Sequence, residues 1–137
     1  MRNRLQLTLD DAFLIAGVGR KEAAGRNLAA TIAIVDTGGH LVYLERPEGQ
    51  SPNSVDIATG KARTAAFRER PSSALQARVK EQPGWLHFPN SIAMSGGVPL
   101  FYKGECVGGV GVSGVAEDDE VVAKAVAAAL DPGAEQG

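Results

Sequence analysis

The sequence has few residues of the kinds that build covalent or metal-bound sites. It contains one cysteine, one tryptophan and two histidines among 137 residues. A single cysteine excludes an intramolecular disulfide and any zinc or iron–sulfur site that needs several cysteines. No CxxCH motif is present, which excludes covalent haem attachment of the c type. Aromatic residues make up only 5% of the chain, so the core must be built from alanine, valine, leucine and isoleucine.

Long hydrophobic runs and a strong net charge are also missing. No apolar run approaches the ~20 residues that a membrane-spanning helix needs. Polar residues interrupt positions 5–18 before the apolar part of a secretory signal could form, so we expect a cytoplasmic protein. Fourteen Lys and Arg against sixteen Asp and Glu argue against general nucleic-acid binding. Length and composition predict one domain over residues 1–137, with an ordered core over about residues 7–130.

The first half of the chain predicts a helix, a hairpin and a second helix. Thr8 precedes two acids and an apolar stripe, which predicts a capped helix reaching about Arg26. Residues 31–35 and 40–45 are short strand-like runs, and the Thr-Gly-Gly between them predicts an antiparallel hairpin. An alanine-rich face predicts a helix over residues 55–68 that packs closely on a sheet or on a neighbouring subunit.

The second half predicts a short helix, three strands and a final helix. Ser73 and Gln76 have the spacing of a capping box at the start of the short helix. The strands are predicted at residues 92–94, 100–103 and 106–112. Glycines inside the last strand indicate a bulge or a close approach of backbone or of a ligand. Residues 134–137 are expected to fray after the final helix. The order α-β-β-α-α-β-β-β-α predicts an α+β fold with a five-stranded antiparallel sheet.

Three segments combine polar, small and apolar residues in a specific way. They are AIVDTGGHLV at residues 33–42, SVDIA…KA…TAAF at residues 54–67, and GGVPL…GGVGVSG at residues 96–114. In this order they resemble the GlcG/HbpS family of small haem-binding or haem-degrading proteins, which is related to the C-terminal domain of PduO-type proteins. The resemblance implies a profilin-like sandwich, homo-oligomers with octamers among them, and binding of haem or a related tetrapyrrole.

Members of this family do not share one haem-ligating position, and this chain has neither histidine nor cysteine in residues 1–30. The axial ligands that the sequence leaves are His40, His87, Cys106, Met94, Tyr43 and Tyr102. His87 lies between aromatic residues in a predicted loop, which suits a flat hydrophobic ring, and it is the candidate ligand of the haem iron. His40 is either a second ligand or a hairpin-end histidine bonded to backbone. Cys106 and Tyr102 are interpreted as ordinary strand residues.

Polar residues of the second predicted helix form a candidate pocket wall. Lys61 or Arg63 could pair with a propionate or a substrate carboxylate, beside the Gly96-Gly97 turn. The candidate cofactor-binding residues are therefore His87, His40, Lys61, Arg63, Gly96 and Gly97. Ser54 and Asp56 are positions that helix capping alone would select. The candidate catalytic residues for acid–base chemistry are His40, Asp56 and Lys61.

The residues leave three functions open. The first is binding of haem or a related tetrapyrrole, although no motif requires a cofactor. The second is a cofactor-independent isomerase or lyase that acts on a small carboxylated metabolite in the same pocket. The third is an oligomeric accessory protein with a vestigial pocket, which is indicated by the alanine-rich helix and by seven acids against one base from Glu105 onward. None of the three involves a nucleic acid or a membrane as partner.

Overall fold

Four antiparallel strands form a sheet that lies between two helical layers. The computed structural model describes residues 1–132. In chain order the elements are α1 (Leu9–Ala24), β1 (Thr31–Val35), β2 (Leu41–Glu45), α2 (Asn53–Arg68), α3 (Ser72–Glu81), β3 (Gly97–Tyr102), β4 (Glu105–Ser113) and α4 (Asp119–Leu130). Short 3₁₀ turns cover Pro83–His87 and Ala116–Asp118. The strand order is β2-β1-β4-β3, with α2 on one face of the sheet and α1 with α4 on the other.

The prediction of an α+β fold is confirmed, but the prediction of five strands is wrong. Residues 92–94 form a loop because their polar and apolar groups are used by α2 rather than by a sheet neighbour. The Ile92 amide donates to Thr64 Oγ1 at 2.8 Å, and the Ile92 side chain fills the space that Gly60 leaves on the helix. The order within residues 1–132 is therefore α-β-β-α-α-β-β-α, and β3 begins at Gly97.

The predicted cap at Thr8 is confirmed, and it forms a capping box with Asp11. Thr8 Oγ1 accepts a hydrogen bond from the Asp11 amide at 3.1 Å, and Asp11 Oδ2 accepts one from the Thr8 amide at 3.0 Å. The capping box predicted at Ser73 and Gln76 is wrong, because tertiary partners occupy both side chains. Ser73 donates to Glu120 at 2.7 Å, and Gln76 accepts from the Ser95 amide at 2.7 Å.

The two faces of the sheet differ in side-chain size. Ile32, Ile34, Val110 and Val112 point toward α1 and α4 and form the main core. The opposite face presents residues such as Ala33, Gly109 and Gly111, which lets the backbone of α2 lie almost in contact with β4. This confirms the close approach that the strand glycines predicted. The predicted bulge is also confirmed: Val107 is the extra residue between the pairs Leu100–Gly108 and Phe101–Cys106.

The final helix ends at Leu130, and Asp131 then accepts a hydrogen bond from the Lys103 amide at 3.0 Å. The prediction of fraying concerns residues 134–137, which lie outside the described residues. Within residues 1–132, no helix is long and apolar enough to cross a membrane.

Candidate functional site

A groove opens where the N-terminal arm, residues 1–8, passes the end of the sheet that carries the β1–β2 and β3–β4 turns. Three adjoining cavities of about 370, 360 and 230 Å³ share Arg4 as a lining residue, and we call them together the Arg4 groove. Volumes of this order suit a small-molecule ligand. The lining side chains that matter below are Arg4, Leu5, Leu7, Thr37, His40, Phe67, Glu69, Cys106 and Val107.

The β1–β2 turn places His40 on the wall of this groove. Asp36 Oδ1 accepts hydrogen bonds from the Gly38 amide at 2.9 Å and from the His40 amide at 3.0 Å. Gly39 adopts a φ of 81°, which a side chain would disfavour, and its carbonyl accepts from Arg63 Nε at 2.9 Å. The Asp36 carboxylate and the Arg63 guanidinium therefore both hold the backbone of the turn. The imidazole of His40 is exposed and makes no hydrogen bond within residues 1–132, so it is available to a ligand.

Cys106 lines the same groove but is poorly suited to bind a metal. Its side chain is buried, and its thiol donates to the Gly108 carbonyl at 3.4 Å. Burial raises the pKa of the Cys106 thiol above its ordinary value, with a further contribution from the carboxylate of Glu69. The thiol is therefore protonated at neutral pH, whereas the thiolate is the form that binds metals.

The N-terminal arm gives the groove its positive charge. The Leu5 amide donates to Glu105 at 2.8 Å, which holds the arm against the β3–β4 hairpin. The guanidinium of Arg4 forms no ion pair within the described part of the chain. Sequence reasoning missed Arg4 because the arm carries no helix or hairpin pattern. Its one signal is the alternation of Arg2 and Arg4 with apolar Leu5 and Leu7.

Lys61 lies in the interior rather than in the groove. Its side chain is 1% exposed, and Nζ donates to Asp119 Oδ2 at 2.8 Å and to the Val112 carbonyl at 3.0 Å. Gly97 lies so close to the Lys61 carbonyl that a Cβ would overlap it, and Gly96 packs beside Nζ. Lys61, Gly96 and Gly97 therefore meet in a closed junction between α2, β3 and α4, where no ligand carboxylate is needed to pair the lysine.

The structure does not bring His40, Asp56 and Lys61 together. Asp56 is exposed near the start of α2, whereas His40 contacts the groove and Lys61 points toward α4. Ser54 is not a helix cap: it is buried, bonds Thr31 Oγ1 at 2.7 Å and donates to the Ser51 carbonyl at 2.6 Å. Asp119 is the residue that pairs with Lys61. Asp119 is one of four consecutive acidic residues, at positions 117–120, and no sequence pattern distinguishes this buried residue from its neighbours.

His87 lies on a different surface from the Arg4 groove. It is the last residue of the 3₁₀ turn and is exposed to solvent. The rings of Trp85 and Phe88 stack on each other with their centroids 5.0 Å apart, and Arg78 lies 4.5 Å from the Trp85 ring. His87 does not line the Arg4 groove.

The remaining candidate ligands, Tyr43, Tyr102 and Met94, do not line the Arg4 groove. The Tyr43 hydroxyl donates to Glu45 at 3.2 Å, and burial together with Glu45 raises the pKa of Tyr43. Tyr102 lines a neighbouring cavity of about 290 Å³, which shares Leu5, Leu7 and Val107 with the Arg4 groove. Met94 is 50% exposed. Within the described residues, no group of three or more His, Cys, Asp or Glu side chains is arranged to hold a metal ion.

The chain is similar to proteins of one family. The family model described as "Haem degrading protein HbpS-like" matches residues 7–128. Protein GlcG of Escherichia coli strain K12 is 36% identical over 114 residues, which cover 82% of this chain and 85% of that protein. A crystal structure of a double mutant of Streptomyces reticuli HbpS superposes with a TM-score of 0.87 at 32% identity, over 95% of this chain and 90% of that chain.

A further similar structure is a PduOC:haem complex, with a TM-score of 0.79 at 25% identity over 91% of this chain and 95% of that chain. The family match includes the β1–β2 turn, α2 and the strands β3 and β4, and it begins at residue 7, after Arg4. The chain therefore belongs to the HbpS-like family, as its three sequence segments indicated.

Proposed function

We propose that this protein binds haem or a related tetrapyrrole in the Arg4 groove, in the cytoplasm. The observation that carries the proposal is the exposed imidazole of His40, which lies in a groove with an unpaired arginine and several apolar side chains. The names of its relatives support this choice, since the family is described as haem degrading and a similar structure is a haem complex.

The residues of the groove fit the three parts of a haem. His40 would hold the haem iron through a ring nitrogen, because a neutral imidazole is a common haem ligand. Arg4 would pair with a propionate through its planar guanidinium. Leu5, Phe67 and Val107 would contact the macrocycle. Bound haem would supply redox and oxygen chemistry, which these side chains would tune through ligation and burial.

Haemin titration tests the proposal. We expect a saturable shift of the Soret band with wild-type protein. His40→Ala should weaken binding about tenfold or more, because a coordinate bond worth at least ~1.4 kcal/mol is lost. His87→Ala is the matched control, since it also removes an exposed imidazole, and should leave the affinity unchanged. If His87→Ala abolishes the Soret shift and His40→Ala preserves it, haem binds on the surface around His87 and not in the Arg4 groove. The absence of a saturable shift would refute haem binding.

The alternative of an isomerase or lyase receives less support. Acid–base catalysis requires an acid and a base within reach of one substrate. Of the three candidate catalytic residues, only His40 lines the Arg4 groove, while Lys61 is paired in the interior and Asp56 is exposed elsewhere.

We also propose that copies of the chain associate through α1, within a homo-oligomer for which an octamer is one arrangement. Phe13, Leu14 and Val18 are 40% to 68% exposed and line one shallow apolar cavity on this helix. Sedimentation equilibrium should show an oligomer for the wild type and smaller species for Leu14→Glu, which introduces a charge into that cavity. Val121→Glu alters an exposed apolar residue on α4 and serves as the control. An unchanged mass for Leu14→Glu would exclude this interface.

A further inference from the structure

Arg68, the last residue of α2, has a buried nitrogen without a partner. Its Nη1 atom has essentially no solvent-accessible surface and donates a hydrogen bond to no carboxylate, carbonyl or hydroxyl oxygen within residues 1–132. Leaving a buried charged donor unsatisfied costs more stability than leaving a neutral one. A buried donor without a hydrogen-bond partner is rare in folded proteins. One explanation is that a bound ligand accepts the hydrogen bond of Arg68 Nη1.

The surroundings of Arg68 concentrate positive charge. The Arg68 guanidinium lies 5.8 Å from the Trp85 ring and 5.9 Å from the Phe88 ring, and the Arg78 guanidinium lies 4.5 Å from the same Trp85 ring. Burial, Arg70 and Arg78 lower the pKa of Arg68. No carboxylate in the described part of the chain forms an ion pair with any of these three arginines.

We propose that these residues, which we call the arginine–aromatic cluster (Arg68, Arg70, Arg78, Trp85 and Phe88), bind a small oxyanion with two or more negative charges. Guanidinium groups hold phosphates and carboxylates through paired, charge-assisted hydrogen bonds. Arg70 and Arg78 are exposed and would contact an approaching anion first. The Trp85 and Phe88 rings lie close to the guanidinium of Arg68. Because Nη1 has essentially no exposed surface, an anion that reaches it must displace neighbouring side chains, and the Trp85 and Phe88 rings lie beside the guanidinium.

The cluster is independent of the proposed haem site. None of its five residues lines the Arg4 groove, and the inference rests on the unpaired arginine rather than on the family. Haemin binding and oxyanion binding are therefore separate properties, and loss of one in a variant should leave the other unchanged.

Tryptophan fluorescence tests the proposal because Trp85 is the only tryptophan of the chain. The probes are inorganic pyrophosphate and citrate, titrated at constant ionic strength against sodium chloride. We expect one or both to change the Trp85 emission in a saturable way, and their relative affinities distinguish a phosphate site from a carboxylate site. At about one hundred times Kd the bound anion should also raise the melting temperature by about 5–10 °C.

Arg68→Gln should weaken anion binding at least about tenfold. Arg46→Gln is the matched control, because it removes an equal charge from an exposed position that forms no ion pair with residues 1–132. Arg78→Gln, at an exposed position, provides a second variant if Arg68→Gln does not fold. The proposal is overturned if sodium chloride reproduces the emission change, if neither anion changes the emission, or if the cluster variants bind like Arg46→Gln.

Discussion

Lys61→Met should lower the free energy of unfolding by about 3–5 kcal/mol, measured by urea denaturation. The substitution removes the ammonium group but leaves Asp119 buried, with its side chain 10% exposed. A buried carboxylate without its counter-ion carries the desolvation cost alone, which is why breaking such a pair is expensive. The Val112 carbonyl also loses its hydrogen-bond donor, the Lys61 ammonium.

Two controls separate this burial effect from the loss of a lysine. Lys124→Met breaks an exposed pair with Glu120, in which the lysine is 64% exposed, and should cost less than about 1 kcal/mol. In the double variant Lys61→Met/Asp119→Asn neither charge remains, while the amide oxygen still accepts from the Val115 amide. We expect it to recover at least about half of the lost stability. If Lys61→Met costs no more than Lys124→Met, the pair does not stabilise the fold.

Gly111→Ala should destabilise the protein by about 3 kcal/mol or prevent it from folding. Gly111 lies on β4 beneath α2, where an added Cβ would overlap the Ala58 carbonyl and crowd the Ala62 amide. These contacts are to backbone atoms of a helix, which cannot move aside as a flexible side chain would. The helix as a whole would have to lift from the sheet and lose its packing against β1 and β4.

Gly84→Ala is the matched control for this substitution. An added Cβ at Gly84 meets nothing within 4 Å, so the change should alter stability by no more than about 0.5 kcal/mol. Thermal denaturation followed by circular dichroism compares the two variants. Equal stability of Gly111→Ala and wild type would mean that α2 does not approach the strand as closely as described.

The elements that sequence reasoning predicted are those with a strong local signal. The Thr8 cap, the Thr-Gly-Gly hairpin and the alanine face of α2 each depend on neighbouring residues. The false strand at residues 92–94 has strand-like composition, but its hydrogen bonds go to Thr64 on α2. That contact joins residues distant in the sequence, so no local pattern reveals it.

The candidate site also combines residues that local sequence patterns predicted with a contact between distant residues that they did not. Asp36 and Gly39 belong to the predicted hairpin turn, and Arg63 was a candidate pocket residue. In the structure their hydrogen bonds hold the turn that carries His40. Lys61 was interpreted as a ligand-binding residue because lysines are usually exposed. Its place three residues after Ala58 and four before Ala65, on the buried stripe of α2, was the available signal. Its partner Asp119 is 58 residues away, beyond the reach of any periodicity.

The most direct test of the central claim is to locate a bound tetrapyrrole. Backbone NMR spectra of isotope-labelled protein, with and without gallium protoporphyrin as a diamagnetic haem analogue, would map the contact surface residue by residue. The account predicts shifts at residues 4–7, 37–40 and 107, around the Arg4 groove, and little change at residues 83–90. Shifts confined to residues 83–90, or no shifts at saturating ligand, would contradict it.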